Sequence, residues 1–361
     1  MEPMAVLIMD ADYETVDEAV QRVFSYFDPP GKAVLIKPNI LGGFPPEHHV
    51  TTHPSLVKAL VSYCTKRNVD TTVGDNPAGR GNLIQKAKRC GLYQAAQGHF
   101  EDISDGVEVA VESDYFSRLV VSKPVMRAAY IVNVPKFKTH VQTVITGAVK
   151  NMFGMLPGEE KSLIHCKARS LDNFSKALVD IYSVRPPDVT IMDAVVGMEG
   201  NGPSTGKVRR INKILASDNG VELDAVMAYM MGLDPHKVPM LNYAHDKRLG
   251  EISVEKMVIE GELIRIPRFK VPSRTAVSFI TPVSSRLYDF LAVSPYLNRE
   301  KCIKCWECVE KCPVSAIEQH EYPHIERDRC VSCFCCVEVC ENHAMEVSSR
   351  ARTLFNRFFL K

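Results

Sequence analysis

Several things are absent from this 361-residue chain, and each absence narrows the reading. No uninterrupted apolar run approaches the roughly 18 residues that a bilayer crossing needs, which sets aside a membrane span. An excess of one charge is missing too. Forty-four Lys and Arg stand against 43 Asp and Glu, for a net charge of +1, so the basic footprint of a nucleic-acid partner is not there. The glycines of residues 74–81 and 197–203 do not fall into the G-x-G-x-x-G spacing, and no Walker sequence occurs; no nucleotide cofactor is expected. Cysteine is sparse through the first 300 residues, where only Cys64, Cys90 and Cys166 occur. That distribution excludes a disulfide framework and leaves these three as small apolar core residues. Residues 1–10 carry no charged segment followed by a secretory core, so the expected location is the cytoplasm. With 45% hydrophobic and 24% charged residues, the chain suits a globular protein with one large domain and a small one.

What is present is concentrated near the end, where nine of the 12 cysteines lie. Cys302, Cys305, Cys308 and Cys312-Pro313 are followed by Cys330, Cys333, Cys336 and Cys340, with two, two and three intervening residues in both runs. This is the spacing of a bacterial two-cluster ferredoxin, in which the fourth cysteine of each run ligates the other cluster. The reading is two 4Fe-4S clusters, one on Cys302, Cys305, Cys308 and Cys340, the other on Cys330, Cys333, Cys336 and Cys312. A shift of 28 positions superimposes the cysteines together with Val309 on Val337, Glu310 on Glu338 and Ala316 on Ala344. Zinc sites use separated pairs and not a triplet with a remote fourth ligand. Two departures from the repeat stand out: Glu341 where the first half has Pro313, and Cys335 beside Cys336, read as a bystander.

The first 250 residues alternate short apolar strands with amphipathic helices, and polar residues gather after the strands. Strand 33–36 delivers Lys37-Pro38-Asn39, strand 70–73 delivers Gly74-Asp75-Asn76, and strand 130–134 is followed by Pro135-Lys136-Phe137-Lys138-Thr139-His140. Thr51-Thr52-His53-Pro54 opens a helix, 147–154 carries Lys150-Asn151, and strand 189–192 leads into Asp193 and a loop with Glu199 and Asn201. The expectation is an α/β fold with a mostly parallel sheet and helices on both faces, plus a small C-terminal α+β two-cluster ferredoxin domain. Residues 1–250 form the large domain, 251–298 a connecting arm with a hairpin from 252–259 and 262–266, 299–350 the cluster domain and 351–361 a tail that docks within the protein.

The ordered motifs Lys37-Pro38-Asn39, Thr51-Thr52-His53-Pro54, Gly74-Asp75-Asn76-Pro77, Pro135 to His140, Gly147-Ala148-Val149-Lys150-Asn151-Met152-Phe153-Gly154 and Met198-Glu199-Gly200-Asn201-Gly202-Pro203 resemble the domain-of-unknown-function family numbered three hundred and sixty-two. The resemblance covers about residues 4–250 and implies a prokaryotic-type iron-sulfur protein, without supplying a reaction.

In a parallel sheet, ligands collect at the carboxyl ends of the strands. Lys37, Asn39, Asp75, Lys138, Lys150, Asn151, Asp193, Glu199 and Asn201 are therefore the candidate ligand-binding residues, with Lys136 gripping an anionic group and His140 or His53 supplying a proton. The chain reads as an iron-sulfur electron-transfer protein, potentially an oxidoreductase, passing low-potential electrons to a redox protein partner or to a small anionic ligand. The competing reading is a cofactor-maturation or binding module with structural or sensory clusters.

Overall fold

The computed structural model describes residues 6–29, 31, 33–77, 82–158, 160–168, 170–272 and 293–349. The tail at 351–361 and the stretch of the arm from 273 to 292 lie outside the described residues.

The strands of the large domain are β1 (Val6–Asp10), β2 (Val34–Pro38), β3 (Thr71–Val73), β4 (Gly106–Ala110), β5 (Arg118–Ser122), β6 (Tyr130–Val134), β7 (Lys136–His140), β8 (Val144–Ile145), β9 (Val189–Glu199), β10 (Lys207–Ser217) and β11 (Ile259–Glu260). Nine of them make one sheet in the order β11-β1-β10-β9-β6-β2-β3, with β7 on β9 and β8 on β7; β4 and β5 pair separately. Pairing is parallel from β9 through β6 and β2 to β3 and antiparallel at β1–β10 and β9–β10. The sheet is mostly parallel, in an α/β fold.

Side-chain alternation along each strand builds two cores, one per face. Leu7, Ile36, Val132 and Ile191 pack with helices α1 (Val16–Tyr26) and α2 (Pro54–Lys66). Their neighbours Ile8, Leu35, Ile131 and Met192 pack on the opposite face with helices that follow later in the chain, α8 (Leu171–Val184), α9 (Gly220–Met230) and α10 (Pro239–Asp246). In α2 the stripe Leu56, Val57, Leu60 and Val61 is wholly inaccessible, and each such side chain contributes about 1.5–3 kcal/mol of burial. Shorter helices complete the domain: α3 (Leu83–Arg89), α4 (Leu92–Ala95), α5 (Lys123–Arg127), α6 (Gly147–Asn151) and α7 (Glu160–Lys167).

Two local expectations are corrected. The polar run after residue 134 is not a loop. Only Pro135 separates the two strands, its carbonyl still accepts from the Asp193 amide (2.9 Å), and β7 continues along β9, which at 11 residues is long enough to hold β6 at Val189 and Thr190 and β7 at Asp193 and Met198. The hairpin in the arm does not form either. Ile259–Glu260 pairs in parallel with Val6 and Leu7, and Gly261, at φ +111°, follows so close to β1 that a Cβ there would meet the Ile8 carbonyl at 1.9 Å. The chain leaves the sheet at that point, and residues 262–266 form no strand.

The C-terminal module pairs β12 (Val293–Leu297) with β15 (Met345–Ser349), and β13 (Ile317–Gln319) with β14 (Pro323–Ile325). Two four-residue helices, Glu307–Glu310 and Cys335–Glu338, repeat the duplication. Backbone conformation repeats it as well. Lys304, Trp306 and Ser315 take left-handed φ of 56°, 64° and 50°, and Ser332, Phe334 and His343 take 51°, 61° and 52°. Such conformations cost L-residues about 1–2 kcal/mol each and persist where the surroundings impose them, typically at ligand clamps.

Candidate functional site

A cavity lies on the seam between the two parts and holds about 1090 Å³ of space counted out to its mouth. Asn39 follows β2, Asp75 and Asn76 follow β3, Lys138 and His140 belong to β7, Lys150 and Asn151 to α6, and Lys161 and His165 to α7. The cluster module closes it with Lys311, Cys335, Glu338 and Val339.

Two asparagines brace the floor: Asn39 Nδ2 donates to Asn151 Oδ1 (2.9 Å), and Asn151 Nδ2 donates to Asn133 Oδ1 (2.7 Å). The Lys138 ammonium donates to Asn39 Oδ1 (2.8 Å) and the Val50 carbonyl (2.7 Å), neither of them an anion. Burial, reinforced by the neighbouring Lys150 charge, pulls the Lys138 pKa down to about 7. The Lys161 pKa is pulled to about 8, again first by burial. Among the described residues, Lys138, Lys150, Lys161 and Lys311 have no ion pair, whereas Lys37 forms one with Asp75 Oδ1 (2.7 Å) beneath the pocket and donates to the Asn151 carbonyl (2.7 Å). The carboxylate of Glu338 is occupied by His140. Ammonium groups therefore outnumber free carboxylates, and the cavity suits an anion.

His140 fastens the two parts together. Its Nδ1 accepts from the Gln142 and Thr143 amides (3.1 and 3.3 Å), which leaves Nε2–H to donate to Glu338 Oε1 at 2.8 Å. Burial and Lys150 hold the His140 pKa at about 4, so the ring is neutral. Burial works to raise the pKa of Glu338, but Lys150 and the His140 hydrogen bond keep it well below the ordinary carboxylate range. With one nitrogen accepting from backbone and the other donating to a carboxylate, His140 has no proton to spare for a ligand. The proton-donor role expected of it gives way to positioning. A second fastening comes from Glu341, which accepts from the Gly43 amide at 2.7 Å and pairs with Arg89.

Other expected site residues gather elsewhere. Lys136 and Asp193 form an ion pair (2.7 Å) with both side chains at 0% exposure. Tyr13 Oη accepts from Lys136 Nζ (2.8 Å) and donates to Asp193 Oδ1 (3.1 Å). The His53 amide donates to Asp193 Oδ2 at 2.8 Å, its ring stacks on Tyr13 at 3.6 Å, and its Nδ1 accepts from the Ser55 amide as the N-cap of α2. Burial drops the His53 pKa to about 4. Lys136, His53 and Asp193 do not line the pocket: Lys136 shares a face of β7 with Lys138 and His140 but lies toward the start of the strand, where Asp193 and Tyr13 take up its ammonium. Glu199 accepts from the Lys270 amide (3.2 Å) in the β9–β10 ribbon; it and Asn201 also lie outside the lining. Conversely, Thr146, Lys161, His165, Lys311, Cys335 and Glu338 line the pocket without having been singled out as its residues. The one available signal was Lys161 and His165 at i and i+4, which share a helix face.

The ferredoxin cysteines gather in two fours. Cys302, Cys305, Cys308 and Cys340 surround a cavity of about 330 Å³. Cys312, Cys330, Cys333 and Cys336 surround another of about 310 Å³. Both are otherwise mostly apolar, and in each run the fourth sulfur accepts a backbone amide: Ala316 N on Cys312 Sγ (3.1 Å) and Ala344 N on Cys340 Sγ (3.2 Å). Four convergent sulfurs with N–H donors, in an apolar shell, form a donor set that fits a 4Fe-4S cube. Cys335 is in neither four; it lines the large cavity.

Among the described residues no helix is long and apolar enough to cross a membrane. A thylakoid-associated protein of Synechocystis sp. is 34% identical over 227 residues, 62% of this chain and 70% of that protein. Among solved structures, the lactate racemase apoprotein from Thermoanaerobacterium thermosaccharolyticum overlaps 64% of this chain and 57% of its own, with 14% identity and a TM-score of 0.42. A structural-genomics protein from Thermotoga maritima overlaps 53% and 52%, with 11% identity and a TM-score of 0.36. The chain thus spans little more than half of either structure. Residues 295–318 match a 4Fe-4S binding domain. Residues 34–229, which supply Asn39, Asp75, Lys138, His140, Lys150 and Lys161 to the pocket, match the model described as Domain of unknown function (DUF362), and the chain belongs to that family.

Proposed function

We propose that this iron-sulfur protein carries two 4Fe-4S clusters and passes low-potential electrons, one at a time, to a small anionic ligand held between the α/β domain and the cluster module, drawing them from a redox protein partner. One observation carries the reading. The same four-residue helix supplies Cys336 to a four-cysteine cavity and Cys335 and Glu338 to the wall of the cationic pocket. A redox centre and a binding site then share a wall. Cys302, Cys305, Cys308 and Cys340 would hold one cluster and Cys330, Cys333, Cys336 and Cys312 the other; when bound, such all-thiolate clusters supply one-electron chemistry at low potential. Lys138, Lys150 and Lys161 bind the anion, Asn39 and Asn151 orient Lys138, and the His140–Glu338 bond holds the wall in place.

The test is anaerobic reconstitution followed by metal analysis and reductive titration. About eight irons per chain and two reducible signals are the expected result. Zinc in place of iron, or clusters that a strong low-potential donor does not reduce, would remove electron transfer from the account. Sulfate as a probe anion reports on the pocket separately, through protection of Lys150 from an amine reagent.

A further inference from the structure

Two buried polar atoms on the cavity wall stand without a partner. Thr146 Oγ1 and His165 Nδ1 make no hydrogen bond among the described residues, although the two residues are only 3% and 4% exposed and both line the cavity. Folding seldom leaves such atoms unsatisfied, because each gives up water and gains nothing unless a ligand or a bound water replaces it. Packing accounts for the rest of both residues. The Thr146 amide donates to the Lys138 carbonyl (3.0 Å), and the His165 ring stacks on Phe174 at 4.3 Å and meets Phe153 edge-on, as an apolar ring would. The charges around these atoms are one-sided. Lys138, Lys150 and Lys161 come from three elements and have no ion pair, Asp75 is taken by Lys37, and Lys311 and Glu338 offset each other in number. The three ammonium groups do not share one anchor either. Lys138 is tied to Asn39 and the Val50 carbonyl, whereas Lys150 and Lys161 lie over the Phe153 ring, 5.7 and 5.8 Å from its centre. An anion with one charge would leave two of these cations unbalanced. Ile40, Leu41 and Val339 add apolar wall, which suits a carbon skeleton.

We propose that the ligand is a small organic polyanion whose negative groups stand at separate positions, one at Lys138 and another at Lys150 and Lys161, and that Thr146 and His165 hydrogen-bond it. The inference rests on the anion pocket of the proposed function and adds the ligand class and two residues that select it. The negative groups are carboxylates or phosphate esters, both of which offer oxygens to ammonium donors. Thr146 Oγ1 and His165 Nδ1 meet polar atoms of the same molecule, so they add selection without adding charge. Sulfate carries its charge at a single centre and reaches one of the two positions, not both.

The experiment uses the full-length, anaerobically reconstituted protein at constant ionic strength, with tricarballylate as the carboxylate probe, fructose 1,6-bisphosphate as the phosphate probe and sulfate as the single-centre reference. By isothermal titration calorimetry one of the two polyanions should bind at least about tenfold tighter than sulfate, the gain expected from a second charge-assisted contact. Whichever binds identifies the charged group, and it should protect Lys161 as well as Lys150 from an amine reagent. Thr146→Val should melt at or above the parental temperature, because the hydroxyl it removes is unpaired, and yet bind the polyanion about tenfold more weakly. Thr146→Ser should restore the affinity. His165→Phe, which keeps the stack on Phe174, should weaken binding in the same way. A hydroxyl that served only the fold would give the reverse pattern for Thr146→Val, a lower melting temperature with unchanged affinity. That pattern, polyanions no tighter than sulfate, or parental affinity in both Thr146→Val and His165→Phe would overturn the proposal, while protection of Lys150 by sulfate would leave the pocket standing. Without that protection the pocket reading itself has failed, and the proposal falls with it.

Discussion

Replacing Asp193 by alanine should be among the most damaging single changes in the α/β domain, although Asp193 and Lys136 both looked like residues of a binding rim. The change leaves the Lys136 ammonium at 0% exposure without its anion and also removes the acceptor of the His53 amide and of Tyr13. Breaking a buried pair from one side costs about 3–5 kcal/mol, because the surviving charge is stranded. With a urea dependence of about 3 kcal/mol/M for a domain of this size, the far-UV circular dichroism midpoint should fall by roughly 1–2 M. Lys136→Met should cost less, since Asp193 keeps the His53 and Tyr13 donors. The double change Lys136→Met with Asp193→Leu should recover part of the loss, because an apolar pair can replace a buried ionic one. All three should bind sulfate in the pocket as the parent does. An unchanged midpoint for Asp193→Ala, or a Lys136→Met protein of parental stability that no longer binds sulfate, would refute the assignment of this pair to structure.

Sulfate affinity should be greatest below pH 7 and decline as pH rises through 7 and 8. Lys138 and Lys161, held at about 7 and 8, lose their charge over that interval. Isothermal titration calorimetry at pH 6 and 9 should show the decline, and Lys138→Met should flatten its lower part. The same depressed lysine makes the unfolded chain bind more protons than the folded one between pH 7 and 10.5, so the Lys138 contribution to stability rises with pH across that window. Gly154→Ala should destabilise by about 1–3 kcal/mol by overpacking, because a Cβ would lie 2.1 Å from Asp75 Oδ1 and 2.5 Å from Lys37 Nζ; an unchanged melting temperature would contradict that packing. Cys308→Ser should reduce bound iron well below the parental level, whereas Cys335→Ser should leave it at about eight, the yield of two cubes; iron analysis of the purified proteins separates the two.

Legibility in the sequence followed the range of the interactions involved. Strand and helix order could be read from local apolar periodicity, and the α/β class followed from their alternation. Six of the expected site residues, Asn39, Asp75, Lys138, His140, Lys150 and Asn151, line the pocket because they lie on loops, helix starts or a strand that the sheet brings to its carboxyl rim. Lys136 and His53 sit in equally promising stretches, but their environments depend on Tyr13 and Asp193, more than 100 residues away from one or both. No local pattern shows that an ammonium group there meets a buried carboxylate and not a ligand.

The sequence alone determined the spacing of the cysteines, their duplication and the supply of basic residues, because these are covalent facts of order along the chain. Packing decided the rest. The second half of the cysteine module turns Glu338 and Glu341 toward His140 and Arg89, and that docking places Cys335 on the wall of a cavity whose lysines come from β7, α6 and α7. Which lysines are neutralised by a partner and which face open space is a matter of three-dimensional proximity among residues far apart in the chain, and proximity of that kind exists only once the two parts have folded against each other.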